Sequence, residues 1–177
     1  MNVLNSLVVK LYGEMIKGIF ESLFQSGELS TLAAAVITKV MDTILRSFPV
    51  EGHHLFANVL PKLAVIIMED KEHSVVMAAY LSVFARVMLN DPAFLMQFLG
   101  SGSQDLRVAF IDKWIDKVDM IGQPSQRKLT AFALCTLLKA TDNEILKLAP
   151  SVINVCLNVY FQLEMPSDDH DGFERDR

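Results

Sequence analysis

The chain has 177 residues, of which 51% are hydrophobic and 21% are charged, so it is long enough and apolar enough to bury a core of its own. Its formal net charge of -5 lies mostly in its last residues, and the nearly neutral remainder excludes the basic surface that a nucleic-acid partner requires. No uncharged run reaches the length of about eighteen to twenty residues that crosses a membrane, and the first residues lack the pattern of a signal peptide, so no membrane partner is expected.

The first half of the chain predicts four helices from the spacing of its apolar residues. The first helix runs to about Phe24 and the second ends before Pro49, and the short turn between them predicts an antiparallel pair. The third helix is expected over Val50–Met68, with a kink where Pro61 removes a hydrogen bond. The fourth helix, over Val75–Val87, is expected to pair with the third.

Start and stop signals define the two helices that follow. Asp91 before Pro92 is an N-cap followed by proline at the first helical position, and Gly100–Ser103 ends this short helix. Ser103 is then placed to cap the next helix, which is expected to run to about Met120.

The stretch around which the rest of the chain is organised is Pro124–Leu138, with the sequence PSQRKLTAFALCTLL. From Leu129 onwards only Thr130 and Thr136 are polar, and a helix that is apolar nearly all round is buried on most sides. We therefore expect this helix to pack between neighbouring helices.

The end of the chain predicts one further helix and then a disordered tail. Thr141 and Glu144 have the spacing of a capping box, and Pro150 is expected to kink the helix one or two turns after its start. Two regions follow from this pattern: a helical segment over residues 1–163 and an acidic, disordered tail over residues 164–177.

The whole pattern contains no strand signal and predicts an all-α fold of about eight helices in four antiparallel pairs. The pairs begin near residues 3, 52, 92 and 125, and these unequal spacings bracket the repeat length of HEAT and armadillo solenoids, which is about 40 to 47 residues. Periodicity alone leaves an α-solenoid and a single irregular helical bundle about equally favoured. The first helix is apolar on more than one side, which predicts self-association through that helix or a partner chain there.

Few residues suggest chemistry. His53 and His54 point about 100° apart on a helix, so they do not easily face one metal ion and are interpreted as ordinary surface histidines. Cys135 and Cys156 lie in apolar runs and are interpreted as small buried hydrophobic residues rather than as a disulfide or a metal pair. The sequence contains no nucleophile motif and no phosphate-binding loop, so we expect no enzyme activity, no metal and no cofactor.

One face of the predicted helix before Met120 carries alternating charges. Asp112, Asp116 and Asp119 share that face, and Lys113 and Lys117 lie beside them. Solvated ion pairs are the favoured interpretation, acid–base catalysis is the least favoured, and partner binding lies between them because solenoids bind ligands with the exposed faces of stacked helices. The candidate partner-binding residues are Asp112, Lys113, Asp116, Lys117, Asp119, Arg127 and Lys128.

A family resemblance rests on the segment Phe110–Leu138, FIDKWIDKVDMIGQPSQRKLTAFALCTLL. It resembles the C-terminal HEAT repeats of importin-β-type nuclear transport receptors, above all their importin-eleven branch. The run that begins WIDKVD at Trp114 is similar to a Trp-x-Asp-Arg-x-Asp pattern of that branch, and the run YLSVFARVML over Tyr80–Leu89 is similar to the preceding helix of those receptors. The resemblance covers Val75–Leu138 and favours an α-solenoid of about four HEAT-like antiparallel helix pairs.

The resemblance implies a protein that works by stoichiometric binding. Receptors of this family bind protein cargo, cross the nuclear pore through nucleoporin repeats, and release import cargo when Ran GTPase binds, so they shuttle between nucleus and cytoplasm. The chain is therefore expected to be a non-catalytic karyopherin fragment that contributes to cargo binding, with Ran and nucleoporin repeats engaged through the full-length receptor. Its acidic tail resembles the acidic insertions of these receptors and suits basic cargo. The alternative is a helical-repeat scaffold in another cytoplasmic protein complex.

Overall fold

The computed structural model describes residues 3–25, 30–101 and 106–164, and over these ranges the chain is helical with no β-strand, which confirms the all-α prediction. The helices in these ranges are α1 (Val3–Gln25), α2 (Thr31–Ser47), α3 (Gly52–Leu55), α4 (Leu60–Glu69), α5 (Ser74–Asn90), α6 (Pro92–Gly100), α7 (Arg107–Lys117), α8 (Pro124–Cys135), α9 (Asn143–Leu146) and α10 (Ala149–Glu164). Short 3-10 turns continue α7 over Val118–Met120 and α8 over Thr136–Lys139.

Four of the longer helices form a row, in which α2 packs along α5, α5 along α8, and α8 along α10. The other helices lie against this row: α1 contacts α3, α4 contacts both α5 and α7, and α6 contacts the same two helices. Within the described ranges α1 and α10 share no extensive contact, so the stack is open at its two ends. An open stack in which each helix contacts only its neighbours is an α-solenoid, which confirms the predicted architecture.

α5 is the most deeply buried helix, because neighbouring helices cover it on several sides. Twelve of its 17 residues are buried, among them Phe84, whose ring centroid lies 4.8 Å from that of Phe110 on α7. Among the described residues no single helix is long and apolar enough to cross a membrane, and α5 passes that test only together with α6, at a bend of 119°. The apolar sequence of α5 is accounted for by its place inside the stack.

The stretch that the sequence places between neighbours forms α8 and the 3-10 turn after it. α8 lies between α5 and α10, and Thr130, Ala133 and Leu134 have no exposed surface. Phe132, by contrast, is exposed on the outer side of the helix. α8 is therefore buried on most sides, as predicted, but not all round.

Two prolines lie at helix starts rather than inside helices, which corrects two predictions. The predicted third helix ends at Leu55, and α4 begins at Leu60 with Pro61 as its second residue. The predicted last helix likewise splits into α9 and α10, with Pro150 as the second residue of α10. Proline fits at these positions because the first N–H groups of a helix have no carbonyl partner within it, so the missing N–H costs nothing.

Aspartate side chains cap two of the predicted helices. The Oδ1 atom of Asp91 accepts a hydrogen bond of 2.9 Å from the backbone N–H of Phe94, as the sequence predicts. α9 is capped by Asp142, which accepts from the N–H of Glu144 at 2.9 Å, rather than by Thr141. The start of this helix is therefore one residue later than predicted, because the carboxylate of Asp142 meets the free N–H. The predicted cap Ser103 lies outside the described residues.

α1 is attached to the stack through its second half. The ring of Phe20 meets the ring of Phe56 edge-on at a centroid distance of 5.0 Å, and Glu21 accepts a hydrogen bond from the side chain of Asn58. The main contact of α2 is with α5 and that of α1 is with α3, so the predicted α1–α2 pair is not the principal contact of either helix. The reason is that α2 packs into the row of long helices. The turn residues 26–29 and the tail residues 165–177 lie outside the described ranges.

Candidate interaction surface

The charged face predicted from the sequence lies on α7, whose two sides differ in burial. Phe110 and Trp114 have no exposed surface, and their ring centroids are 6.1 Å apart. Asp112 and Asp116 are exposed on the other side. Because residues three or four apart share one face of a helix, the buried aromatic side of α7 directs its acidic side outwards.

Asp70, the residue that ends α4, binds two of the candidate cations. Its φ of 56° and ψ of 37° are left-handed, a conformation that Asp tolerates better than most residues. The Nζ atom of Lys113 lies 2.7 Å from Oδ2, and the Nζ atom of Lys117 lies 2.7 Å from Oδ1. The hydrogen bond from Lys113, followed by that from Lys117, lowers the pKa of Asp70. The two lysines therefore tie α7 to the end of α4.

Arg127, in the first turn of α8, is also bound within the chain. Its Nη2 atom donates to the backbone carbonyl of Asp119 at 2.7 Å, and its Nη1 atom donates to the side-chain oxygen of Gln162 on α10. One guanidinium thus bridges the end of the α7 segment, α8 and α10. Three of the four candidate cations have partners inside the chain, so their first role is to hold helices in register.

The part of this surface that stays exposed is mainly acidic. Asp112, Asp116 and Asp119 are exposed, and none of the three carboxylates forms an ion pair with another described residue. Lys128 is exposed too, with its Nζ atom 5.9 Å from the ring centroid of Phe132, which is within cation–π range. Partner binding here stays a prediction. Fewer of the seven predicted residues are available for it, and those that stay exposed are mostly acidic.

An exposed apolar strip follows α10, and sequence reasoning did not single it out. It consists of exposed side chains that recur at helical spacing beside the buried Val152 and Val159. Tyr160 and Phe161 lie in this strip with ring centroids 5.6 Å apart. The exposed residues of the strip are Ile153, Leu157, Tyr160 and Phe161, and Phe132 is exposed on α8. Periodicity marked α10 as amphipathic, but it could not tell which apolar positions meet α8 and which face solvent.

A second exposed apolar surface lies at the other end of the stack, on α1 and α2. Leu11 of α1 is 66% exposed and Leu32 of α2 is 76% exposed. The exposed apolar residues are Leu7, Leu11, Tyr12, Met15 and Ile19 on α1 and Leu32, Val36 and Val40 on α2. The first helix therefore presents apolar side chains outwards, which is the observation on which its predicted self-association depends.

The structure corrects the interpretation of His53, which is buried, whereas His54 is exposed as predicted. The His53 ring packs 4.4 Å from the ring of Phe94 and 4.1 Å from that of His54. Burial, and then the neighbouring His54, lowers the pKa of His53, while Asp91, whose Oδ2 atom is 3.7 Å from its Nε2, opposes that shift. No group of three or more potential metal ligands occurs in the part of the chain that the structure describes.

The two cysteines are brought together, a feature that sequence reasoning missed. Cys135 on α8 and Cys156 on α10 are free, half-buried thiols whose Sγ atoms are 3.1 Å apart. The interpretation as buried apolar side chains accounts for their surroundings but not for their pairing. The sequence contains a signal that could have found it, since the only two cysteines lie on long apolar helices that follow each other in the predicted stack.

The known proteins to which this chain is similar are all importins. The family profile described as "Importin-11-like, TPR repeats" matches residues 3–177. Human (Homo sapiens) Importin-11 is 31% identical over 135 residues, which cover 72% of this chain and 14% of the human protein. Mouse (Mus musculus) Importin-11 is 30% identical with the same coverage, and the "Importin beta-like protein kap113" of Schizosaccharomyces pombe is 26% identical over 134 residues, or 76% of this chain and 13% of that protein. The chain thus spans only about 14% of the length of these relatives, and no solved structure matches it significantly.

Proposed function

The chain belongs to the importin-11-like family, and from that premise we propose that it is a non-catalytic part of a nuclear transport receptor that contributes to cargo binding. The observation that carries the proposal is the match of the family profile over residues 3–177. The open stack of helices supports it, because such stacks bind ligands along the exposed faces of their helices. The function is therefore one of binding, without bond chemistry, metal or nucleotide.

The family description names TPR repeats, whereas the sequence predicts HEAT-like pairs. Both are stacks of antiparallel helix pairs, and they differ mainly in repeat length, which is about 34 residues for TPR and about 40 to 47 for HEAT. The proposed function depends on the property that the two share, which is a row of helices with one exposed face.

We propose that the cargo contacts lie on the exposed side of α7 and at the start of α8. Asp70 binds both Lys113 and Lys117 and offsets one of their two positive charges. The exposed carboxylates of Asp112, Asp116 and Asp119 outweigh the remaining positive charge, so this side is negative on balance. An acidic surface attracts a basic segment of a partner and accelerates its association. Lys113, Lys117 and Arg127 then act indirectly, by holding the acidic surface in place.

The aromatic residues beside this surface suit the same role. Phe132 on α8 and Tyr160 and Phe161 on α10 are large and exposed, and exposed aromatic side chains are the residue types that contribute most at protein interfaces. Lys128 lies near Phe132 and adds an exposed positive charge on α8. A cargo segment that combines basic and apolar residues therefore fits this side of the molecule better than a purely acidic one.

The proposal extends to the whole protein of which such a chain forms a part. The full-length receptor would bind Ran GTPase and nucleoporin repeats and shuttle between nucleus and cytoplasm. Cargo and GTP-loaded Ran would bind to one flexible helical stack, and coupling between the two binding events would release the cargo. This chain would contribute one part of the cargo surface to that exchange.

The experiment uses the full-length receptor immobilised on beads. Proteins retained from a nuclear and cytoplasmic extract are eluted with Ran loaded with a GTP analogue and compared with those eluted with GDP-loaded Ran. We expect a set released by the GTP form alone, and we expect purified nucleoporin repeats to bind the same beads. A stable cytoplasmic complex that neither Ran form releases would favour the scaffold alternative.

The role of the acidic surface is tested by charge reversal in the same receptor. Asp112→Lys, Asp116→Lys and Asp119→Lys together should weaken binding of a released cargo by at least about tenfold, because opposite charges across an interface become like charges. Glu14→Lys on α1 is the matched control, since Glu14 is an exposed acid at the other end of the stack. Equal cargo affinity for the triple variant and the control variant would remove the acidic surface from the proposal.

We propose one further interaction for the isolated chain, self-association through α1. The support is the exposed apolar side of α1, where Leu11, Met15 and Ile19 follow each other at intervals of one turn. Contiguous apolar surface of this kind is rarely left open to water in a soluble monomer. A second copy of the chain offers the same surface and so can cover it.

A further inference from the structure

Cys135 and Cys156 are the only two cysteines of the chain, and they meet where α8 packs on α10. They are 21 positions apart, so the local chain does not force them together. Their Sγ atoms lie 3.1 Å apart, and the bond of a disulfide is about 2.05 Å long, so closure needs a movement of roughly 1 Å. Small rotations of two side chains supply a movement of that size.

We propose that Cys135 and Cys156 are a modification site, at which a reversible disulfide locks α10 onto α8 under oxidising conditions. Both thiols are half-buried rather than sealed in the core, so a small oxidant reaches them. The Sγ atom of Cys156 also lies 3.6 Å from the backbone carbonyl oxygen of Ala131, which keeps the side chain turned towards α8. The pair is thus preset for reaction with each other rather than with another molecule.

The oxidant that the proposal invokes is hydrogen peroxide. Burial, and then the neighbouring Cys135, raises the pKa of Cys156 to about 12, so Cys156 keeps its proton at neutral pH. One of the two sulfurs reacts first: as a thiolate it attacks one peroxide oxygen, the O–O bond breaks, hydroxide leaves, and that cysteine becomes a sulfenic acid. The sulfur of the other cysteine then attacks the sulfenic sulfur, and the sulfenic hydroxyl leaves with the thiol proton as water. In sum, two thiols and one hydrogen peroxide give one disulfide and two waters.

The disulfide would act at the end of the stack, where a helix has fewest neighbours. α10 packs mainly on α8 and has a smaller contact with α7, whereas α8 lies between two long helices. A bond between Cys135 and Cys156 closes a loop that contains α9, and closing such a loop removes conformations from the unfolded chain. Oxidation therefore stabilises the chain and prevents α10 from separating from α8.

The test is made on the 177-residue chain treated with hydrogen peroxide, blocked with N-ethylmaleimide and analysed by mass spectrometry without reducing agent. We expect the monomer to lose two hydrogens and to take up no maleimide, whereas the untreated, unfolded chain takes up two. The melting temperature should rise by roughly 5 to 10 °C, and dithiothreitol should reverse both changes.

Cys135→Ser and Cys156→Ser each remove one partner, and Cys135→Ala and Cys156→Ala replace them if serine impairs folding. All four variants should show no intramolecular loss of two hydrogens and no gain in melting temperature with peroxide. The proposal is overturned if the parent chain keeps two reactive thiols at peroxide levels that fully oxidise a reference dithiol, or forms only intermolecular dimers. A disulfide that leaves the melting temperature unchanged overturns it equally, because the lock would then be absent.

Discussion

α5 and α1 are both long apolar helices, but α5 is buried and α1 is largely exposed. Twelve of the 17 residues of α5 are buried, and Phe84 has no exposed surface. α1 is longer, at 23 residues, yet Leu11 is 66% exposed, and Phe20 is the only large side chain of the helix that is buried among those described. α2, α4, α6 and α8 surround α5, whereas α1 has its principal contact with α3.

The difference shows that position in the stack, rather than composition, decides how much of a helix is buried. A helix inside a row of repeats has a neighbour on each side, and a helix at the end of the row has one side without a neighbour. Apolar residues on a middle helix therefore stabilise the chain itself, whereas those on an end helix are available for contact with another chain. Four experiments test this division, and they are ordered from the largest expected effect to the smallest.

The largest effect is expected where a charge is placed between two helices of the row. Leu134 on α8 has no exposed surface, as the sequence predicts, so Leu134→Asp should cost several kcal/mol, roughly 3 to 5, because it buries an unpaired carboxylate. Leu11→Asp on α1 is the matched substitution and should change stability by no more than about 0.5 kcal/mol. Urea unfolding of both variants checks this. Equal losses of unfolding free energy would show that a helix inside the row and α1 do not differ in burial.

The second experiment removes one phenyl ring from each helix. Phe84→Ala should destabilise the whole chain by about 3 to 5 kcal/mol, because it leaves a cavity in the middle of the core. Phe20→Ala should release α1 alone, because the ring of Phe20 packs on Phe56 and fixes α1 to the residues after α3. Hydrogen exchange distinguishes global from local loss.

For Phe20→Ala we expect fast exchange in α1 and unchanged protection in α5, since repeat proteins open locally at their ends. For Phe84→Ala we expect protection to fall throughout the described helices. Loss of protection in α5 caused by Phe20→Ala would mean that α1 belongs to the core rather than to an exposed end.

The third experiment concerns association instead of stability. Leu11→Lys together with Met15→Lys should shift the isolated chain towards the monomer, because both side chains lie on the exposed apolar side of α1. The change in folding stability should stay within about 0.5 kcal/mol. Light scattering at several concentrations gives the mass of the parent chain and of the variant.

Glu14→Lys is the control for added positive charge, because Glu14 lies on the same helix and is already polar and exposed. It should leave the association unchanged. A parent chain that remains strictly monomeric at high concentration would show that the exposed side of α1 does not mediate self-association.

The smallest effect is expected from pH, at the contact of α3 with α6. Because burial lowers the pKa of His53 below its ordinary value of 6.5, the unfolded chain takes up a proton more readily than the folded chain. Stability should therefore be constant above about pH 6.5 and fall as the pH drops below that value, until His53 in the folded chain is itself protonated. Its charged or titratable neighbours are His54, which adds to the shift, and Asp91, which opposes it.

Melting temperatures at about pH 7.5 and about pH 5.5 measure this difference. His53→Gln should flatten the dependence, and the same substitution at the exposed His73 serves as the control. α3 is the principal contact of α1, so the acid effect should loosen the α1 end before it reaches α5. A dependence that survives His53→Gln would assign the acid effect to another group.

Much of the fold is predictable from the chain because its helices are long and their apolar residues recur at helical spacing. The starts of α5 and α8 and the cap at Asp91 follow from local chemistry that the sequence displays. Pro61 and Pro150 were misplaced because a proline in a helical pattern either kinks the helix or begins a new one, and the apolar pattern on both sides is the same in either case.

The surface is less predictable, because it depends on contacts between residues far apart in sequence. Helical spacing identified the charged side of α7, but nothing local indicates that Asp70 binds Lys113 and Lys117 from 43 and 47 positions away. The burial of His53 and the pairing of the two cysteines have the same cause. Such contacts follow from which helices are neighbours, and periodicity contains no information on neighbours.

The tie at Asp70 has a mechanical consequence for the stack. Lys113 and Lys117 lie one turn apart on α7, about 6 Å along its axis, and each binds a different oxygen of the same carboxylate. Sliding α7 in either direction along α4 stretches one of these two bonds, so the tie works as a brace against shear in both directions. A load that bends the stack is then taken up first at contacts made by apolar side chains alone, while α4 and α7 keep their register.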